Sequence, residues 1–115
     1  MRKKNYKGRC EKKTIDKCKT VCKTYDPIQS AYVDILDDRN DVAEIKCNVE
    51  LDGDAADFTT DIVAVMTSGE LMVRECVSRK ILPRPLTIKM LDLSQQYWLK
   101  KGVSDWGLVI DASKE

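Results

Sequence analysis

Asp61 and Glu75 are the side chains in this sequence whose type and spacing could carry chemistry. They flank Thr67-Ser68-Gly69, a hairpin-turn sequence between two apolar-rich runs. With the turn centred on Ser68, Asp61 lies seven residues before it and Glu75 seven after, so the two face each other across the hairpin. Cross-strand neighbours of that kind hold their Cβ atoms about 5 Å apart. Two carboxylates so close repel unless a cation lies between them, which makes the pair a candidate site for Mg²⁺ or Mn²⁺. A divalent ion held this way activates water and stabilises the leaving oxygen in phosphodiester cleavage. The plain alternative is a pair of solvent-facing strand carboxylates with no metal.

Composition removes other chemistries. There is no histidine, which excludes histidine acid/base catalysis, Ser–His triads and His-ligated zinc. Of the five cysteines, Cys10, Cys18, Cys22 and Cys47 could in principle form a four-thiolate zinc site. Their spacing lacks the paired Cys-x2-Cys knuckle, and zinc is not expected. Cys18 and Cys22 read instead as small apolar residues on a helix stripe, and Cys47 as an inward strand residue.

A chain of 115 residues with 43% hydrophobic and 34% charged residues suits one soluble globular domain. No apolar run is long enough to span a bilayer, and no apolar stretch follows Met-Arg-Lys-Lys at the start. A cytoplasmic protein with no membrane partner is the expectation. The net charge of +1 hides an asymmetry: residues 1–24 carry ten Lys/Arg against Glu11 and Asp16, while the remainder is acidic. A basic segment on an acidic body points to a partner with negative charge, nucleic acid being the usual one and DNA the one expected here. Its expected contacts are Arg2, Lys3, Lys4, Lys7, Arg9, Lys12, Lys13 and Lys17, joined by Arg79, Lys80 and Arg84. The alternatives are a solvated helix face or an arm docked on the acidic body itself.

These residues need elements to position them. Arg9 to Lys23 reads as a basic helix, with Ile15, Cys18 and Cys22 on one face. Asp26 is an N-cap and Pro27 a first helical residue, opening a helix that stops within Asp37–Asn40. Residues 43–51 alternate strictly, placing Ala43, Ile45, Cys47, Val49 and Leu51 together on one face of a half-buried strand. Phe58–Met66 and Leu71–Val77 are the next two strands. Thr87–Lys101 is a helix closed by Gly102, and Trp106–Ile110 is a short apolar strand. The expected organisation is a basic segment over 1–24 and an α+β domain over 25–115. The crossover from the third strand through a helix to the last implies a mixed sheet.

The order helix, three strands, helix, strand, with Thr59-Thr60-Asp61, Arg74-Glu75, Pro83-Arg84-Pro85-Leu86-Thr87 and Trp106-Gly107-Leu108-Val109-Ile110, resembles the N-terminal domain of TnsA-like transposon endonucleases. That family belongs to the PD-(D/E)xK nucleases, and the likeness runs roughly from Asp26 to Asp111. It implies a restriction-endonuclease-like αβββαβ core, here preceded by the basic helix. It also implies Mg²⁺ or Mn²⁺ on Asp61 and Glu75, and cleavage of DNA at the ends of a mobile element. A transposase subunit or a second copy of the chain would be the protein partner. The family glutamate on the first helix falls at Gln29 and the family lysine at Val77. On this reading Lys80, or Arg79, takes over the lysine's task and Gln29 the glutamate's. The other reading is a phage or mobile-element accessory or inhibitor module that binds DNA or protein and no longer cuts.

Overall fold

The computed structural model describes residues 11–13, 15, 17–18, 22–52 and 58–110. Asp26 caps helix α1 (Pro27–Asp37): its Oδ1 accepts the Gln29 backbone N–H at 2.8 Å, and Pro27 takes the first turn. Three strands follow, β3 (Val42–Glu50), β4 (Thr59–Met66) and β5 (Leu71–Cys76). Helix α2 (Pro85–Lys100) then leads to β6 (Asp105–Val109). It begins two residues earlier than the periodicity predicts, because Pro85 suits a first helical turn that has no use for its missing N–H. The class is α+β. The sheet runs β3-β4-β5-β6, antiparallel twice and then parallel, as a helical crossover requires.

The β4–β5 turn behaves as its sequence demands. Gly69 sits at φ 92° and its N–H donates to Met66 O at 2.9 Å. Pairing is symmetric about Ser68, with Val65 opposite Leu71 and Ile62 opposite Arg74.

The sheet is covered on both faces. Val33 and Leu36 of α1 pack with Ile45, Ile62, Ala64, Met72, Cys76 and Val109 on one side. Trp98 of α2 packs with Val63, Val73, Phe58, Leu51 and Val103 on the other. No helix among the described residues is long and apolar enough to cross a membrane.

Two sequence expectations are corrected. The first is the alternation of β3. Ile45 and Cys47 pack on the α1 side, whereas Val49 and Leu51 pack on the α2 side. Asn48 stands between them at φ +57°, and β4 changes sides at the same level, with Phe58 on the α2 side and Ile62 on the α1 side. Asparagine tolerates that conformation better than most residues.

The second is the basic helix. Residues 11–13 and 22–24 form two short antiparallel strands, β1 (Glu11–Lys13) and β2 (Cys22–Thr24). The segment is rich in β-branched residues (Thr14, Ile15, Thr20, Val21, Thr24), which resist helix. It also has the domain to dock on. Ile15 and Cys18 pack against the α1-side core, and Lys17 O accepts the Ile45 N–H at 2.8 Å. The Lys17 ammonium donates to Leu36 O and Arg39 O, closing the C-terminal end of α1. Lys17, expected on DNA, is thus a helix cap. Beside it the Arg39–Asp41 fork shapes the turn into β3, and Arg39's hydrogen bonds hold Asp41 below the usual carboxylate range.

Asn48→Val tests the phase reversal. Valine has the higher strand propensity yet resists positive φ and keeps none of the amide's hydrogen bonds. A loss of roughly 2–4 kcal/mol in urea unfolding is expected. Undiminished stability would mean that the reversal does not depend on asparagine.

Candidate functional site

The ladder between β4 and β5 has its last paired residues at Ile62 and Arg74. The next residues on each strand are Asp61 and Glu75, and the side chain of each reaches the main chain of the other strand. Both are buried, at 2% and 0% exposure. Side-chain oxygens continue the ladder beyond its last pair. Glu75 Oε1 accepts the Asp61 backbone N–H at 3.1 Å, and Asp61 Oδ2 accepts the Cys76 backbone N–H at 2.8 Å.

The other Glu75 oxygen turns to α2. Ser94 Oγ donates to Glu75 Oε2 at 2.6 Å and accepts Trp106 Nε1–H at 3.0 Å. Nearby, Trp98 Nε1–H donates to Thr60 Oγ1 at 2.9 Å. Aromatic N–H groups this deep need such acceptors.

Gln29 approaches from α1, fully buried. Its Nε2 donates to Asn48 Oδ1 at 2.9 Å and to the backbone carbonyl of Asp61 at 3.0 Å. Its Oε1 accepts the Tyr25 N–H at 2.9 Å. The amide therefore meets Asp61 at the main chain, with the nitrogen foremost. Asn48 Nδ2 in turn donates to Lys23 O at 2.7 Å.

Val77 is buried at 5% exposure, and its N–H bonds Val109 O at 3.0 Å. Arg79, Lys80 and Arg84 are exposed on the connection from β5 to α2. Lys12 is exposed on β1, while Arg2, Lys3, Lys4, Lys7, Arg9 and the side chain of Lys13 lie outside the described residues. Cys18 and Cys47 pack against the core; Cys10 and the side chain of Cys22 also lie outside.

A Mg²⁺ or Mn²⁺ centre of the kind the resemblance implies would draw on Asp61, Glu75 and residue 29. Magnesium wants a near-octahedral oxygen shell and keeps several of its waters. Here both Glu75 oxygens and Asp61 Oδ2 accept protein donors, both acids are almost sealed from solvent, and the residue-29 amide presents nitrogen. No group of three acidic or thiol side chains poised for a metal occurs among the described residues. As folded, this donor set suits a hydrogen-bonded junction and falls short of a magnesium shell.

Ser94 and Asn48 escaped the sequence reading, which placed Trp106 on the last strand without a site role. Ser94 carried a signal: it shares a helical stripe with Leu91 and Trp98, and a hydroxyl on a buried stripe must have a partner. Asn48 carried none, since it occupies the polar phase of an alternating strand. Comparison of the sequence with models of known families and with curated proteins finds no match.

Restoring the acid at position 29 should harm the fold. In Gln29→Glu a carboxylate would face two acceptor oxygens where an amide now donates. A loss of about 2–3 kcal/mol in guanidinium unfolding is expected, larger than for Gln29→Met, which only forfeits the bonds. A glutamate variant as stable as the parent would mean that the amide is not required.

Proposed function

We propose that this chain is a nuclease-fold module that binds DNA without cutting it. One observation carries the reading. The carboxylates that would hold a catalytic metal are spent on backbone and serine donors, with buried Val77 in the place that the resemblance gives to the lysine. That lysine would polarise the attacking water or steady the scissile phosphate, and a methyl-bearing side chain can do neither. The DNA part rests on charge. The basic residues 1–24 and the exposed Arg79, Lys80 and Arg84 offer cations to phosphates. A setting beside a transposase or another mobile-element protein follows from the same resemblance.

The runner-up is an active endonuclease subunit. What favours it is the αβββαβ order with two acids where β4 and β5 part, an arrangement suited to a metal if the junction opens.

The two are separated by assaying the chain on plasmid DNA with Mg²⁺ or Mn²⁺ while measuring binding to a duplex. Salt-sensitive binding with no nicking is the expected result, and Asp61→Asn should leave binding unchanged. Nicking by the parent chain that disappears in Asp61→Asn would establish the endonuclease and overturn the binding-only reading. Absence of duplex binding would remove DNA from both.

A further inference from the structure

The ribbon of β1 and β2 has an arrangement that is unfavourable by itself. Its register sets Lys12 directly opposite Lys23, and both are exposed. Like charges opposite each other on an antiparallel pair destabilise it, with Cβ atoms about 5 Å apart. Two ammonium groups presented together in this way complement an anion placed between or across them.

The ribbon is also firmly mounted. Lys23 O accepts Asn48 Nδ2–H at 2.7 Å, and Asn48 is held by Gln29 at 2.9 Å. Tyr25 N–H, two residues on, bonds the same glutamine. Thr24 is buried at 2% exposure. The Lys23 backbone is therefore fixed to α1 and β3, and its side chain projects from a rigid base. Lys17, committed to the carbonyls of α1, lies outside this surface.

We propose that the β1–β2 ribbon grips the phosphate backbone of duplex DNA. Lys12 and Lys23 are its paired contacts, and the Gln29–Asn48 amide pair is its mount. This rests on the DNA-binding reading above and assigns it an element. A two-stranded ribbon is narrow enough to follow the major groove, where phosphates flank it on both sides. The residue that stands in the family glutamate's place then serves binding by holding the ribbon.

The test is fluorescence anisotropy of a labelled random-sequence duplex titrated over a range of NaCl. The Lys12→Gln/Lys23→Gln chain is compared with the parent and with Arg79→Gln/Lys80→Gln/Arg84→Gln. Loss of two phosphate contacts should lower the slope of log K against log salt by roughly 2 and weaken binding about tenfold or more at low salt. The thermal midpoint should stay level or rise, because an unfavourable pair has been removed. Lys12→Glu sharpens the distinction. It should form an ion pair with Lys23, raise the midpoint and still weaken DNA binding, which a purely structural role for the ribbon would not produce. Unchanged affinity and slope in the double variant, with weakening only in the triple one, would overturn the ribbon and leave the DNA reading standing. No salt-dependent binding by the parent chain would overturn both.

Discussion

Two strands part company inside a hydrophobic sandwich, and everything else in this molecule must accommodate the backbone groups exposed there. An unpaired buried N–H is costly, and the described fold answers with side-chain acceptors. Glu75 takes the Asp61 N–H, and Asp61 takes the Cys76 N–H. The carboxylates then need donors of their own, and Ser94 supplies one from α2. Trp106 on β6 finds its acceptor in the same serine, and Gln29 on α1 bonds the Asp61 carbonyl. A polar chain thus runs from one covering helix through the sheet to the other. Such networks impose a single arrangement when complete, and a group missing from the middle leaves its neighbours unsatisfied.

The apolar packing is organised around that chain. The α1-side cluster and the α2-side cluster are separated by the sheet, and β3 contributes to both, changing sides at Asn48. The same asparagine hands one amide hydrogen to the Lys23 carbonyl. The residue at which the strand changes sides also fastens the N-terminal ribbon. Charge follows suit: the basic segment lies against the domain at Lys17 and Lys23 through backbone and carbonyl contacts, leaving Lys12 and Lys23 exposed.

Local signals in the sequence were sufficient where structure is local. Asp26-Pro27 marks the start of α1 because capping involves only neighbouring residues. The symmetry about Ser68 sets the β4–β5 register, and with it the meeting of Asp61 and Glu75, because a short turn fixes the pairing on both sides. Where the outcome depends on distant partners the sequence was silent or misleading. Ile15, Cys18 and Cys22 have helical spacing, yet docking on β3 and α1 places Ile15 and Cys18 on the core without a helix. The alternation of residues 43–51 says nothing of a residue at positive φ. The side chains of Asp61 and Glu75 could be placed by counting, but the donors they receive come from Cys76, Ser94 and the main chain, which no spacing reveals.

The contact between Lys17 O and the Ile45 N–H also bears on solubility. In the sheet order β3-β4-β5-β6, β3 is an outer strand. An outer strand offers unpaired N–H and C=O groups to any extended chain that drifts by, which is how sheets recruit copies of themselves. Here the N-terminal segment occupies part of that rim, with a lysine-rich sequence that repels similar chains. The segment is thereby a guard against edge-to-edge assembly. Proteolysis ahead of Tyr25 would strip the rim and leave the domain prone to accrete strands.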